Sequence, residues 1–207
     1  MELMEAIALR RTVRDFAQRE VPFEIVEKAL QAGLKAPSYN HQKEWYFILV
    51  KDPQVRLALT QAEQMRETVS EQFKKELQDY EALAQEMYLD AIPKQKKMIL
   101  TSPGVLVVAY KPKTQIEQSK RVCDVNCLSA TWCCIENILL SFAEDGVFCT
   151  TIIPEYTPAV KAALHIPQEL EVAALLPFGY KAETARIIPQ KRVQLEAVLH
   201  RDRWQLR

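Results

Sequence analysis

The segment Val122–Ala143 restricts the fold more than any other part of this sequence, because it is apolar on nearly every side of a helix. Its main stripe consists of large apolar side chains at helical spacing, namely Leu128, Trp132, Ile135, Leu139 and Phe142. A helix that is apolar all round is buried, either in the core of a protein or at a subunit interface. The chain therefore needs a fold with a long central helix that other elements, or a second subunit, cover on several sides.

Shorter elements are predicted on both sides of this helix. Runs of strand-forming residues predict strands at Trp45–Val50, Val105–Tyr110, Gly146–Ile153 and Val172–Tyr180. Apolar residues at helical spacing predict helices over residues 2–10, Phe23–Leu34 and Leu195–Trp204. Helices that alternate with short strands predict an α+β fold in which helices pack on a small sheet.

The long charged stretch from Gln54 to about Asp90 is harder to interpret. Its apolar residues recur at mixed three- and four-residue steps, which predicts two helices or one kinked helix, and Pro93 interrupts the pattern. We expect its charged faces to be solvated. Residues 1–207 are thus predicted to form a single domain with a helical excursion at about 54–97.

Charge and glycine content exclude several classes of protein. Lys and Arg total 27 and Asp and Glu total 27, so the formal net charge is zero, and nucleic acid is not expected as a partner. The chain has only 4 glycines, and their spacing forms neither a G-x-G-x-x-G turn nor a P-loop. A bound phosphate is therefore not cradled by a glycine-rich loop.

The sequence predicts a cytoplasmic protein. No stretch approaches the ~18 consecutive apolar residues of a membrane span, so no membrane partner is expected. The first ten residues lack the basic-then-apolar order of a signal peptide. The odd number of cysteines, 5, favours free thiols in a reducing compartment, and we expect them to pack in the core and to bind no metal.

Basic and polar residues with a potential binding role occur in separate parts of the chain. Near the N-terminus, Arg10–Arg14 concentrates guanidinium groups around the hydroxyl of Thr12, and guanidinium suits bidentate phosphate contacts. A second basic pair, Lys191-Arg192, follows near the C-terminus. Between them, the loop Ala36–Trp45 is rich in donors and acceptors and precedes a strand.

The order and separation of these features resemble the nitroreductase family of FMN-dependent enzymes over almost the whole chain. Arg10, Thr12, Arg14 and Phe16 match the family's R-x-S-x-[RK]-x-F stretch. The family's A-P-S-x-x-N-x-Q-P-W-x-F loop is matched at Ala36, Pro37, Ser38, Trp45 and Phe47. The resemblance implies a nitroreductase-like fold, with a small, mostly antiparallel sheet flanked by helices. It also implies a homodimer with the long helix at its interface and FMN held between the subunits.

The resemblance further implies a role for particular residues. Those expected to contact FMN are Arg10, Arg11, Thr12, Arg14, Pro37, Ser38, Tyr39, His41, Lys97, Thr150, Thr151, Ile152, Ile153 and Arg192. Among them Arg10, Thr12 and Arg192 would hold the phosphate, while Arg14 and Lys97 would approach the pyrimidine side of the ring. Residues 37–41 would come from the partner subunit, and 150–153 would place a backbone N–H near the flavin N5. No side chain is expected to act as a catalytic residue, because the chemistry occurs at N5.

The implied activity is ping-pong hydride transfer from NADH or NADPH, through flavin N5, to a small organic acceptor such as a nitroaromatic or a quinone. The loop departs from the family at His41, Lys43 and Glu44, where Asn, Gln and Pro are usual. This departure leaves open a specialised flavin enzyme, either a dehalogenase or one that breaks flavin down. A non-catalytic protein that sequesters flavin, or senses redox state through its cysteines, is the other alternative.

Overall fold

In a computed structural model, which describes residues 1–204, the strands form a four-stranded antiparallel sheet. They are β1 (Trp45–Val50), β2 (Gly104–Tyr110), β3 (Val147–Cys149) and β4 (Glu171–Tyr180), and they lie in the order β1-β2-β4-β3. The two central strands, β2 and β4, are buried almost throughout. That burial explains why their sequences are continuous apolar runs rather than alternating ones.

Helices precede, connect and follow these strands. They are α1 (Leu3–Leu9), α2 (Phe23–Gly33), α3 (Pro53–Ala62), α4 (Glu71–Glu76), α5 (Ala82–Ala91), α6 (Gln95–Thr101), α7 (Asn126–Glu144), α8 (Thr157–Ala163) and α9 (Leu195–Val198). The α+β prediction is therefore confirmed, as are the strands expected at residues 45–50, 105–110 and 172–180.

Apolar clusters cover both faces of the sheet. On one face, α2 and α7 pack on Leu106 and Val108 of β2, and Phe142 of α7 stacks on Phe178 of β4 with ring centroids 5.0 Å apart. On the other face, α3, α6 and α8 pack on the alternate β2 residues Val105 and Val107. The sheet is thus the middle layer of the fold, and its β3 edge is where the candidate site is built.

Several predicted boundaries were wrong. The charged stretch forms α3 to α6, separated by 3-10 turns at Leu77–Asp79 and Ile92–Lys94, rather than two helices or one kinked helix. Helix α3 begins where Asp52 caps it, and α4 begins where the Ser70 hydroxyl accepts a hydrogen bond from the Phe73 amide. These local caps divide a stretch whose apolar spacing alone suggested longer helices.

Other elements also differ from expectation. The predicted strand Gly146–Ile153 ends at Cys149, and the predicted tail helix is a single turn, α9. Helix α8 was not predicted, and the central helix begins with a 3-10 turn at Val122–Val125.

The combined helix Val122–Glu144 is long and apolar enough to span a membrane, judged by length and composition, and no other helix within residues 1–204 is. In its most apolar 18-residue stretch, 33% of the residues are buried within the chain. Its buried face packs on α2 and the sheet, and the core helix of a soluble protein meets the same test.

Candidate functional site

The Arg10–Arg14 segment is held against the β3 edge of the sheet. Thr12 forms a parallel bridge with Cys149, and the Val13 amide donates to the Cys149 carbonyl oxygen at 3.3 Å. A few residues later, the Ala17 amide donates to the Tyr180 carbonyl oxygen at 2.8 Å. The backbone of the arginine segment is therefore fixed on both sides of Arg14.

The segment Thr150–Ile153 continues β3 with alternating partners. The amides of Thr150 and Ile152 donate to the β4 carbonyl oxygens of Pro177 and Leu175, at 3.2 and 2.9 Å. Because extended chains alternate their hydrogen-bonding directions, the amides of Thr151 and Ile153 face away from β4. They face the side on which Arg10–Arg14 lies, and the buried Thr150 hydroxyl joins the two segments by donating to the Val13 carbonyl oxygen at 2.6 Å.

A cavity of about 680 Å³ opens beside these two segments. One wall consists of Arg14 and Thr150–Ile153, and the opposite wall comes from the charged stretch, with Phe73, Met87, Tyr88, Ile92 and Met98 among its lining residues. A smaller crevice of about 40 Å³ is lined by Arg10, Arg11, Thr12 and Thr151, among others. Thr151 lines both spaces, so the two lie next to each other along the arginine segment.

Arg14 is the most buried arginine of the Arg10–Arg14 segment. Its side chain is 7% exposed, and its Nη1 lies 3.4 Å from Asp90 Oδ2. Burial lowers the pKa of Arg14, while Asp90 opposes that shift, and an arginine remains protonated in proteins. Its Nε is buried and has no hydrogen-bond partner within the described chain. An unpaired buried donor is costly, so this geometry favours a ligand that supplies an acceptor.

The other two arginines of the segment, Arg10 and Arg11, are half-buried. Arg10 Nε lies 3.4 Å from an exposed carboxylate, Glu136, and Arg11 donates from Nη2 to the Ile188 carbonyl oxygen at 2.8 Å. The C-terminal segment therefore passes close to Arg11. Arg192, however, is exposed and is not among the residues lining either space, and its neighbour Lys191 pairs with Glu81.

The polar loop lies apart from the cavity of its own chain. Ser38 and Tyr39 line a separate small crevice beside Trp45, whereas Pro37 and His41 are exposed. The loop turns sharply because three of its residues have a left-handed backbone. They are Asn40, His41 and Lys43, with φ of 49°, 55° and 49°. A role for this loop at the FMN site thus depends on the predicted contribution of a partner subunit.

Lys97 does not line the cavity. Helix α6 presents Gln95 and Met98 to it, and Lys97 is exposed. The lysine near Arg14 is instead Lys94, whose Nζ lies 2.7 Å from Asp15 Oδ2 and 2.7 Å from Asp90 Oδ1. The structure therefore does not place Lys97 on the cavity wall with Arg14, and its expected role beside the flavin ring stays a prediction.

Sequence reasoning also missed Glu63, a buried carboxylate at the end of α3. Its oxygens accept hydrogen bonds from the amides of Glu155 and Tyr156, at 2.8 and 3.0 Å. These residues follow Thr150–Ile153 after Pro154. Glu63 therefore ties the charged stretch to the segment that forms the cavity wall, a role that no local pattern around it indicates.

We expect Glu63→Gln to lower the free energy of unfolding by about 1–3 kcal/mol, because the amide replaces a charged acceptor with two oxygens by one neutral oxygen for two partly buried N–H groups. Urea denaturation would measure the change. Glu67→Gln is the matched control, since Glu67 forms only an exposed pair with Lys96 and its loss should change stability by less than about 0.5 kcal/mol. Equal effects of the two substitutions would contradict the role given to Glu63.

Buried cysteines near the site are held as thiols. Burial raises the pKa of Cys149, which lines the smaller crevice, and raises the pKa of Cys134 on α7 to about 12. Since the thiolate is the reactive form, these two cysteines are unreactive near neutral pH.

Comparison with known proteins agrees with this architecture. The family model described as "Nitroreductase family" matches residues 7–180. An iodotyrosine deiodinase from Haliscomenobacter hydrossis is 24% identical over 195 residues, covering 92% of this chain and 84% of that protein. The crystal structure of oxidized iodotyrosine deiodinase bound to FMN and 3-iodo-L-tyrosine is similar with a TM-score of 0.72 at 20% identity, over 94% of this chain and 97% of that one. A nitroreductase with bound FMN from Bacteroides fragilis NCTC 9343 gives 0.67 at 22% identity, over 97% and 98%. The predicted nitroreductase-like fold is confirmed.

Proposed function

The chain belongs to the nitroreductase family, and from this premise we propose that it binds FMN beside Arg14 and reductively dehalogenates an aromatic substrate. The observation that carries the proposal is the buried Nε of Arg14, which has no partner within the described chain and lies on the wall of the large cavity. That donor needs an acceptor, and the cavity has the size of a cofactor site.

The residues present fit FMN. A volume of about 680 Å³ lies within the roughly 300–1,000 Å³ typical of small-molecule sites. Arg10, Arg11 and Thr12 offer cationic and neutral donors for a phosphate, and Thr151 lines the same crevice. Arg192 is a further candidate for the phosphate only if the tail after Ile188 moves closer to Arg11.

The chain's own groups would bind and orient the cofactor. When bound, FMN supplies the exchange of two electrons between a reductant and the substrate. Arg14 would hold a fixed positive charge beside the bound ring, and a cation there would stabilise the negative charge of the reduced form. Glu63, together with the hydrogen bonds from Thr150 and Ile152 to β4, keeps the backbone of the Thr150–Ile153 segment in position.

Dehalogenation is supported by the relatives and by the lining of the cavity. Both the H. hydrossis relative and the structure bound to 3-iodo-L-tyrosine are iodotyrosine deiodinases. The wall opposite Arg14 carries Phe73, Tyr88 and Met65, whose apolar, polarisable surfaces suit a halogenated ring. In the proposed reaction Ar–X and NAD(P)H give Ar–H, X⁻ and NAD(P)⁺. The carbon–halogen bond breaks, a carbon–hydrogen bond forms, and the halide leaves with the bonding pair.

NAD(P)H-dependent reduction of a nitroaromatic or a quinone is the second candidate. Ile153 and Tyr156 line the cavity and are 66% and 39% exposed, so the space is open to solvent on that side. A planar acceptor could enter there without a specific pocket. In either case we propose the cytoplasm as the compartment, where nicotinamides are available and the free cysteines stay reduced.

The test is an anaerobic spectrum of the purified protein. We expect a flavin band that NADH or NADPH bleaches, followed by release of iodide when 3-iodo-L-tyrosine is added. Reoxidation by a nitroaromatic without iodide release would favour the second candidate. A band that neither nicotinamide bleaches would favour a flavin-sequestering protein, and a colourless protein that cannot be reconstituted with FMN would refute the proposed site.

We also propose that the working form is a homodimer. Helix α1 packs on α7 and leaves Leu3, Met4 and Ile7 exposed on its outer side. Such a surface favours a partner. The loop at 37–41, which lies apart from its own cavity, would then be available to the site of the other subunit.

Ile7→Asp should weaken this dimer by about 2 kcal/mol or more, roughly thirtyfold, because each protomer would bury a charge. Light scattering across a dilution series would measure the shift. Leu57→Asp is the control, since Leu57 is similarly exposed on α3, on the opposite side of the sheet. A wild-type protein that remains monomeric at high concentration would contradict the dimer.

A further inference from the structure

A row of charged side chains connects the charged stretch to the proposed FMN site. Lys94 Nζ lies 2.7 Å from Asp15 Oδ2 and 2.7 Å from Asp90 Oδ1. The other oxygen of Asp90, Oδ2, lies 3.4 Å from Arg14 Nη1. We call these four residues the Asp90 network: Asp15, Lys94, Asp90 and Arg14.

The network is buried at its inner end. The side chains of Arg14 and Asp90 are each 7% exposed, while those of Lys94 and Asp15 are 26% and 22% exposed. Charges that are shielded from solvent interact more strongly than surface charges and are less screened by salt. The charge of Asp90 therefore acts on Arg14 with little screening, and Lys94 compensates that charge from the other side.

The contact to Asp90 uses only part of the Arg14 guanidinium. Nη1 is engaged through a single long contact, whereas Nε is buried without a partner in the described chain. Asp90 can thus hold the guanidinium at the cavity wall and leave other N–H donors for a ligand.

We propose that Asp90 is a positioning residue that holds Arg14 toward the cavity and sets how much positive charge Arg14 presents to bound FMN. Lys94 acts in the opposite sense, because it neutralises part of the Asp90 charge. This inference rests on the proposed function, and it concerns the relative stability of reduced and oxidised FMN in the site.

The test compares the two-electron midpoint potential of bound FMN in Asp90→Asn and Lys94→Met. Asparagine keeps the size of Asp90 and an acceptor oxygen for Arg14 but removes the negative charge. We expect the preference for reduced over oxidised FMN to rise about tenfold, a shift of about 30 mV to more positive potential. Lys94→Met leaves Asp90 less compensated, so its potential should move in the negative direction.

A dye-equilibrium titration gives both values, and Glu86→Gln is the matched control. Glu86 lies one turn before Asp90 on α5 and pairs with Arg186 outside the cavity, so its removal should leave the potential unchanged. The inference would be overturned if Asp90→Asn and wild type had equal potentials, or if the potentials of both network variants shifted in the same direction. The proposal that the protein binds FMN would still stand in either case. A wild-type protein that binds no FMN would overturn both.

Discussion

Replacement of Phe178 by alanine is expected to lower the free energy of unfolding by about 3–5 kcal/mol, a large part of the stability of a domain. Phe178 is 1% exposed on β4 and stacks on Phe142, which joins the sheet to the central helix α7. The ring also fills the space above Gly104, where an added Cβ would clash with Phe178 Cζ. Helix and sheet can shift little to fill the resulting cavity.

Urea denaturation followed by circular dichroism would measure this loss. Tyr46→Ala is the control, because Tyr46 is an aromatic residue on β1 that is largely exposed, and its removal should change stability by less than about 1 kcal/mol. Phe178 pairs with Cys149 in the sheet, next to Thr150. We therefore expect Phe178→Ala to retain less FMN as well. A loss of stability below about 1 kcal/mol would contradict the packing described for this layer.

The sheet and the central helix were predictable from the sequence because burial leaves a strong pattern. The run Trp45–Val50 has the same bounds in the structure as in the prediction, and Val105–Tyr110 differs by one residue. Both runs are flanked by turn residues and rich in β-branched or aromatic side chains. Helix α8 was missed because it has only about two turns and one buried residue, Val160, which does not produce a recognisable period.

The charged stretch was less predictable, because its helices are short and separated by caps and turns. Apolar steps of mixed length indicate helix but do not indicate where one helix ends. The carboxylates Asp90 and Glu63 look like solvated surface in such a stretch. They are buried because other elements pack on that face, and a local pattern carries no information about which charged face is covered.

The candidate site itself is assembled by contacts that are distant in sequence. Thr12 meets Cys149, and Thr150 donates to the Val13 carbonyl oxygen, across well over a hundred residues. Composition and periodicity cannot predict such a pairing. The family resemblance predicted that the arginine segment and residues 150–153 share a site. Its role for Lys97 stays a prediction, because Lys97 does not line the cavity of its own chain.

Arg14→Met is expected to weaken FMN binding by about 1.5–3 kcal/mol, which corresponds to roughly a 10- to 150-fold rise in Kd. Methionine keeps much of the side-chain volume but removes every donor and the charge. The variant should still fold, because Asp90 keeps Lys94 as a partner at 2.7 Å. Quenching of FMN fluorescence during titration of the apoprotein would give the Kd values.

Arg19→Met is the matched control for this loss. Arg19 lies on the same N-terminal segment, but its guanidinium carbon sits 4.0 Å from the ring centroid of Tyr180 and the residue does not line the cavity. Its replacement should change the Kd for FMN by no more than about twofold. The Kd of Arg14→Lys should fall between those of wild type and Arg14→Met, since lysine restores the charge without the planar donor array. If Arg14→Met and Arg19→Met weakened binding equally, the effect would come from the net charge of the segment, and the cofactor would have to be sought away from Arg14.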